Sequence, residues 1–197
     1  MPAPQPPSDP TAAVVVPVKA FARAKVRLAP ALSPAERSAL ARTMADHVLR
    51  AAAPLPVHVV CDDDEVAEWA TAAGATVVWT PGRGLDGAVA EGVSGLAAAG
   101  VDRVVVAHAD LPHAEALAWV ADFDGITLVP DRRDDGTNVI GLPAGSGFRF
   151  AYGPGSFARH RAEAARLGLP VRIRREPRLG WDVDQPADLE QPEWARS

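Results

Sequence analysis

The sequence predicts an α/β domain in which helices cover both faces of a mostly parallel sheet. Two observations indicate this class: short β-branched runs recur along the chain, and segments of helical periodicity separate them. The 197 residues, 48% hydrophobic and 23% charged, suffice for one globular domain with a sizeable core. No repeat or linker interrupts the pattern, so we predict a disordered tail over residues 1–11 and one domain over residues 12–197.

The first two strands and the helix between them carry clear local signals. Residues 12–18 (AAVVVPV) and 57–61 (VHVVC) are apolar, β-branched runs of strand length. The segment between them predicts a helix over residues 33–52, because Ser33 and Glu36 have the spacing of a capping box.

The same alternation continues through the middle of the chain. A glycine at position 74 closes the predicted helix that begins at residue 63. The predicted order is helix 63–74, strand 76–79, helix 84–100, strand 102–108 and a short helix 114–123.

The last third of the chain predicts a strand pair, a helix and a further strand. Two apolar runs separated by a polar turn predict the pair. The predicted order is strand 126–130, strand 137–143, helix 156–168, strand 169–175 and a turn or helix over 185–194.

Three aspartates are the candidate metal ligands. Asp110 follows a buried strand in the run RVVVAHADLP, at the sheet edge where ligands of such folds bind. Asp182 and Asp184 have the i, i+2 spacing that places both on one face of an extended segment. Together the three suit Mg²⁺, which takes a few carboxylates plus phosphate oxygens. The alternatives are a turn or cap at Asp110 and a polar loop around the other two.

A basic loop after the first strand is the candidate anion site. The run PVKAFARAKVRL contains the only two lysines of the chain, Lys19 and Lys25, together with Arg23 and Arg27. Lysine is a common phosphate ligand, so we favour an anion-binding loop over an ordinary solvated loop. The chain has neither G-x-G-x-x-G after its first strand nor G-x-x-x-x-G-K-[ST], which disfavours dinucleotide oxidoreductases and P-loop enzymes.

Two further segments offer hydrogen-bonding groups. Thr137 and Asn138 follow the turn DRRDDG, and they are candidates to contact a ligand or simply part of a polar β-turn. Gly153 and Ser156 precede a predicted helix whose N-terminus offers free N–H groups to an anion. Ser156 is also a suitable N-cap, and the two roles are compatible.

The motifs, taken together, resemble a known enzyme family. PVK…AK-x-RL, GLDGAV, ADLP, DRRDDGTN, YGPGSFARH and WDVDQPADL stand in this order across nearly the whole chain. They are similar to the guanylyltransferases of deazaflavin coenzyme F-420 biosynthesis, which use 2-phospho-L-lactate or phosphoenolpyruvate. The resemblance implies a single Rossmann-like nucleotidyltransferase domain.

The resemblance also implies roles for individual residues. The substrate site would comprise Thr137, Gly153 and Ser156, and the Mg²⁺ site would comprise Asp110, Asp182 and Asp184. The catalytic residues Lys19, Lys25 and Arg27 would hold the phosphates of GTP and of the acceptor. Lys25 and Asp86 would lie at the nucleotide, although the family usually has Asn at the position of Asp86. A second departure is HADLP in place of the more usual GDLP-type turn.

The implied reaction joins GMP from GTP to a small phosphorylated carboxylic acid and releases pyrophosphate. Phosphoenolpyruvate is the favoured acceptor, and 2-phospho-L-lactate and 3-phosphoglycerate are alternatives. Another nucleotidyltransferase, of the molybdopterin or sugar-phosphate type, is disfavoured because its glycine-rich L-x-G-G-x-S-x-R-M-G loop is missing. A non-catalytic nucleotide-binding module is disfavoured by the three carboxylates and two lysines, and a D-x-D phosphatase by the position of that motif near the C-terminus.

The composition indicates which classes of partner and which cellular compartment to expect. A net charge of −5 disfavours nucleic acid, and no apolar run is long enough to span a bilayer. The single cysteine, Cys61, excludes an internal disulfide and suits a cytoplasmic protein. A homodimer is an open alternative to a monomer.

Overall fold

The computed structural model describes residues 11–190, 192 and 195. Residues 1–10 of the predicted tail lie outside this part. Thr11 is described, and its backbone N–H donates to the carboxylate of Asp102 (2.9 Å). Within the described residues, no helix combines the length and the hydropathy that crossing a membrane requires.

Within residues 11–190, seven strands form one sheet, and all seven were predicted. They are β1 (Ala12–Pro17), β2 (Val57–Cys61), β3 (Thr76–Trp79), β4 (Arg103–Ala107), β5 (Ile126–Pro130), β6 (Thr137–Pro143) and β7 (Val171–Ile173). Their order is β3-β2-β1-β4-β6-β5-β7. Only β6 is antiparallel to its neighbours, β4 and β5. The predicted α/β class with a mostly parallel sheet is therefore confirmed.

Helices cover both faces of this sheet, as predicted. They are α1 (Pro34–Ala51), α2 (Asp64–Ala72), α3 (Gly84–Ala98), α4 (Ser156–Arg166) and the single turn α5 (Pro177–Gly180). The capping box of Ser33 and Glu36 is formed at the start of α1. Side chains from α1 and α2 pack on one face of the sheet and side chains from α3 and α4 on the other, because successive strand residues point to opposite faces.

The short helix predicted over residues 114–123 is wrong. Only a 3₁₀ turn, Ala118–Ala121, forms in this segment. Leu117 donates its N–H to the carbonyl of Ala51 at the end of α1 (2.8 Å), and Ala116 has a φ of 37°. The turn then lies directly on β6, where a Cβ built on Gly141 would stand 2.3 Å from the carbonyl oxygen of Val120. Apolar periodicity in this segment therefore reflects burial without an α-helix.

We expect Gly141→Ala to lower the free energy of unfolding by about 3 kcal/mol, because the added methyl would force the 3₁₀ turn off the sheet. Urea denaturation midpoints measure the effect. Gly145→Ala is the matched control, since its added Cβ would meet nothing within 4 Å, and we expect a change below about 0.5 kcal/mol. Equal midpoints for the two variants would refute the close approach.

The strand directions decide which residues meet at one edge. The carboxyl ends of β1 and β4 lie side by side, since the two strands pair in parallel. Because β6 runs antiparallel, with Val139 opposite Ala107, its first residues lie at that same edge. The segments after β1 and β4 and the start of β6 consequently surround one cleft.

Candidate active site

A cleft of about 960 Å³ opens at this edge of the sheet. It is lined by every predicted site residue except one: Lys19, Lys25, Arg27, Asp110, Thr137, Gly153, Ser156, Asp182 and Asp184. The exception is Asp86, in the first turn of α3, whose Oδ1 accepts the backbone N–H of Tyr152 (2.8 Å). The structure thus gives Asp86 a contact that positions the loop before α4.

Lys25 links two of the predicted metal ligands. Its Nζ lies 2.5 Å from Oδ2 of Asp110 and 3.1 Å from Oδ1 of Asp184. The residue has a left-handed backbone with a φ of 54°, which is uncommon for a residue with a side chain. Burial alone would lower the pKa of Lys25, but the attraction of Asp110 and Asp184 outweighs it and raises that pKa. Lys25 is therefore a permanent cation at the centre of the cleft.

Asp110 is held beside the C-terminal segment by its own backbone. Its carbonyl accepts the N–H of Val183 (3.3 Å), so Asp182 and Asp184 are brought next to it from the far end of the chain. Burial would raise the pKa of Asp110, but the positive charge of Lys25 lowers it below the ordinary value. The carboxylate is consequently ionised at neutral pH.

The pKa of Asp182 is shifted in the opposite direction to that of Asp110. Burial, followed by repulsion from Asp110 and Asp184, raises the pKa of Asp182 to about 6. Among the described residues, its Oδ1 is buried and accepts no hydrogen bond, and its ion pair with Nη1 of Arg132 is long, at 3.8 Å. A second cation next to Asp182 would relieve this repulsion.

The residues fit a divalent cation with oxygen ligands. Oδ1 of Asp110 and Oδ1 of Asp182 are both buried, and neither accepts a hydrogen bond from the part of the chain that the structure describes. Both oxygens of Asp184 already contact cations, Lys25 at 3.1 Å and Arg27 at 3.2 Å. No three acidic, histidine or cysteine side chains in the described part of the chain form a ready-made cage. Mg²⁺ does not need one, because it commonly takes one or two carboxylates plus water and phosphate oxygens.

Asp188 is an organising residue that the sequence did not reveal. Its side chain is fully buried, and Oδ2 accepts the N–H groups of Asp184 (2.8 Å) and Gln185 (2.7 Å). Its Oδ1 pairs with Arg132 and Arg133. The only signal was a proline two residues earlier, which predicts a turn start but not a buried carboxylate.

The turn before β6 is built by Asp131. Its carboxylate accepts the N–H groups of Arg133 (2.9 Å), Asp135 (3.0 Å) and Gly136 (2.9 Å). A Cβ on Gly136 would come within 2.9 Å of that carboxylate, so an added side chain would displace the carboxylate from this turn. This turn fixes the position at which Thr137 enters the cleft.

The N-terminus of α4 is less free than the sequence suggests. Oδ1 of Asp135 accepts the N–H of Gly155 (3.0 Å), and the carbonyl of Asp135 accepts that of Phe157 (2.9 Å). The N–H of Ser156 bonds to the carbonyl of Gly153 (3.0 Å). The expectation of unpaired backbone donors at these three residues is wrong, because the loop folds back on itself and on Asp135.

The two candidate ligand residues at the start of β6 have different surroundings. The amide of Asn138 donates to the carbonyl of Leu179 (2.9 Å), so it ties β6 to α5. Thr137 is 2% exposed, and its Oγ1 lies 3.0 Å from Nδ1 of His160. Both residues line the cleft, and the Thr137 hydroxyl is the candidate ligand contact of the pair.

Two ring-bearing residues of the cleft, His108 and Tyr152, were not among the predicted site residues. His108 and Tyr152 both line it, and their rings are 4.8 Å apart. Nε2 of His108 and the hydroxyl of Tyr152 are buried and have no hydrogen-bond partner among the described residues. Burial lowers the pKa of His108, and the opposing charge of Asp110 does not compensate, so the ring is neutral. No local pattern in the sequence signals such a pair.

Comparison with known proteins identifies the protein family of this chain. The family described as CofC-like guanylyl transferases matches residues 12–191. The chain belongs to this family. CofC-like proteins are guanylyl transferases, so the domain is a nucleotidyltransferase, and the resemblance inferred from its motifs is confirmed.

Curated relatives extend over nearly the whole chain. A phosphoenolpyruvate guanylyltransferase from Sphaerobacter thermophilus is 40% identical over 190 residues, which cover 92% of each chain. Another from Thermomonospora curvata is 40% identical over 191 residues, covering 91% of this chain and 82% of that protein.

Solved structures agree on the fold. A protein from Desulfovibrio desulfuricans G20, provisionally described as a nucleotide-diphospho-sugar transferase, superposes on this chain with a TM-score of 0.76 at 19% sequence identity. The match covers 96% of this chain and 92% of that one. The predicted single Rossmann-like α/β fold is thereby confirmed.

Proposed function

We propose that this CofC-like enzyme transfers GMP from GTP to phosphoenolpyruvate in coenzyme F-420 biosynthesis. One observation carries the proposal: Lys25 meets Asp110 and Asp184 in a cleft that Thr137 and Ser156 also line. The lysine and the carboxylates suit a triphosphate with its metal ion. The two hydroxyl groups suit a small anion. The names of the 40% identical relatives support the choice of phosphoenolpyruvate.

The reaction needs little acid–base chemistry. An oxygen of the acceptor phosphate attacks the α-phosphorus of GTP, a new P–O–P link forms, and the bond to the β-phosphate breaks to release pyrophosphate. A phosphomonoester has a second pKa near ~6, so at neutral pH the attacking oxygen already lacks a proton. No general base is required, and rate enhancement comes from positioning and charge neutralisation.

The chain supplies that neutralisation with three cations and three carboxylates. Lys25 lies at the centre, while Lys19 and Arg27 line the outer part of the cleft and would hold the triphosphate. Asp110 and Asp182, with Asp184, would hold Mg²⁺. When bound, Mg²⁺ would screen the crowded phosphate oxygens and stabilise charge on the leaving pyrophosphate.

Base selection is proposed to involve the region around Asp86. One of its oxygens holds the N–H of Tyr152, and the carboxylate can accept through the other. Asp86 therefore stays a prediction as a nucleotide-binding residue, and it lies next to the loop of residues 151–155.

The acceptor is tested by offering phosphoenolpyruvate, 2-phospho-L-lactate and 3-phosphoglycerate separately with GTP and Mg²⁺, and by measuring the mass of each product. We expect the GMP adduct of phosphoenolpyruvate to form fastest. Preference for another of the three would keep the guanylyl transfer but change the acceptor. No adduct from any of them would refute the function.

The proposed substrates also indicate where the enzyme works and what it binds. GTP and phosphoenolpyruvate are cytoplasmic metabolites, so we place the enzyme in the cytoplasm with small molecules rather than nucleic acids or membranes as its partners. A homodimer stays a prediction.

Ser156→Ala is expected to raise the KM for phosphoenolpyruvate about tenfold, because one hydrogen bond to a charged acceptor is lost. The KM for GTP should not change. Steady-state kinetics with each substrate varied in turn measures both constants. Ser94→Ala, on the exposed side of α3, is the matched control. An effect on the KM for GTP alone would place Ser156 outside the acceptor site.

A further inference from the structure

A buried histidine connects the two walls of the acceptor side of the cleft. His160, in α4, is 0% exposed. Its Nε2 lies 3.0 Å from the backbone nitrogen of Ala151, and its Nδ1 lies 3.0 Å from Oγ1 of Thr137. The first contact belongs to the loop that carries Gly153, and the second belongs to β6.

The contact with Ala151 determines which ring nitrogen carries the proton. A backbone N–H can only donate, so Nε2 of His160 must accept and cannot be protonated. A ring that accepts at one nitrogen is neutral, and its single proton is therefore on Nδ1. Burial lowers the pKa of His160 to about 4, and the opposing charge of Glu163 does not compensate.

The protonated Nδ1 then fixes the direction of the next hydrogen bond. Nδ1–H donates to Oγ1 of Thr137, whose hydroxyl accepts this bond and keeps its own proton for another acceptor. Thr137 lines the cleft, where a phosphate or carboxylate oxygen can only accept. The chain of bonds thus runs in one direction, from Ala151 and His160 through Thr137 to an anion.

We propose that His160 is a positioning residue that sets the Thr137 hydroxyl as a hydrogen-bond donor to the anionic acceptor substrate. This inference rests on the proposed function in placing the acceptor at Thr137. The ring is held by aromatic packing, with its centroid 5.0 Å from that of Tyr152 and 5.6 Å from that of Phe148. It cannot rotate to offer its other nitrogen without losing the Ala151 bond.

Two substitutions that each keep one of the two hydrogen bonds of His160 separate this role from simple packing. In His160→Asn, the side-chain amide nitrogen replaces Nδ1 and keeps the donation to Thr137, but the Ala151 N–H loses its acceptor. In His160→Gln, the amide oxygen replaces Nε2 and keeps the Ala151 bond, but the donation to Thr137 is lost.

We expect opposite patterns from the two variants. His160→Gln should raise the KM for phosphoenolpyruvate about tenfold with little change in Tm, because one oriented hydrogen bond is lost. His160→Asn should lower the Tm more while largely restoring that KM. The KM for GTP should stay within about twofold in both. If the KM for phosphoenolpyruvate instead follows the Tm in both variants, His160 is structural and the proposal is overturned.

A double-mutant cycle tests whether Thr137 carries the effect. In the background of Thr137→Val, which has no hydroxyl, His160→Gln should add less than about twofold to the KM for phosphoenolpyruvate. Independent, multiplicative effects of the two substitutions would overturn the proposal.

The protonation state is tested without substrate on the wild-type protein. Two-bond ¹⁵N–¹H correlation spectra of ¹⁵N-histidine-labelled protein at pH 7 should show His160 with its proton on Nδ1. A proton on Nε2, or a charged ring, would overturn the proposal. This readout does not involve turnover, so a failure to use phosphoenolpyruvate would count against the proposed function while the spectrum still decides the state of His160.

Discussion

Asp110→Asn is expected to abolish guanylyl transfer, lowering kcat by about a thousandfold, while the domain stays folded. Asp110, like Asp182, offers a buried oxygen that accepts no hydrogen bond within the described residues, and it is a candidate metal ligand. Asparagine has the same shape, and the carbonyl of residue 110 can still accept the N–H of Val183. Pyrophosphate release at saturating GTP, phosphoenolpyruvate and Mg²⁺ measures the loss, and circular dichroism checks the fold.

The matched control for this variant lies at the other end of the same strand. Asp102 precedes β4, and its carboxylate accepts the N–H of Thr11 (2.9 Å) at the amino-terminal edge of the sheet. Asp102→Asn should leave kcat within about twofold, because surface changes away from the site have small effects. Normal pyrophosphate release by Asp110→Asn would remove Asp110 from the metal site.

Lys25→Met is expected to lower kcat by about a hundredfold, because the cation at the centre of the cleft is lost where phosphate charge must be neutralised. The substitution also leaves the carboxylates of Asp110 and Asp184 facing each other without the ammonium group that now contacts both. The same pyrophosphate assay measures the loss.

Lys19→Met provides the comparison from the same loop. Lys19 lines the cleft but is exposed to solvent, so its charge is more strongly screened. We expect a smaller loss of about tenfold for Lys19→Met, since an exposed charge contributes less than a buried one. Equal losses in the two variants would contradict the central position of Lys25.

The proximity of the three aspartates to the loop of Lys19 and Lys25 could be predicted from the sequence, and the reason is physical. Parallel strands end at a common edge, so a segment after β1 and a segment after β4 have to be neighbours there. The C-terminal pair was predicted from its spacing alone, and its place beside Asp110 depends on one backbone hydrogen bond from Val183. No local pattern specifies a bond between such distant residues.

Other features depend on close tertiary contacts that local patterns do not encode. The apolar residues at 114–123 have helical spacing, but Gly141 allows a 3₁₀ turn to lie on β6 instead. The N–H groups before α4 look free in the sequence, but Asp135 reaches them from a separate turn. Asp188 and His160 were missed because a buried polar residue is recognised only by its partners.

Isotope tracing identifies which bond of GTP is broken and where its phosphorus goes. GTP labelled with ³²P at the α-phosphate, and separately at the γ-phosphate, is incubated with phosphoenolpyruvate, Mg²⁺ and either wild-type protein or Asp110→Asn. We predict that wild-type protein transfers the α-label to the phosphoenolpyruvate adduct and the γ-label to pyrophosphate, and that the variant transfers neither. A γ-label in the adduct, or release of both labels without phosphoenolpyruvate, would contradict nucleotidyl transfer at this cleft.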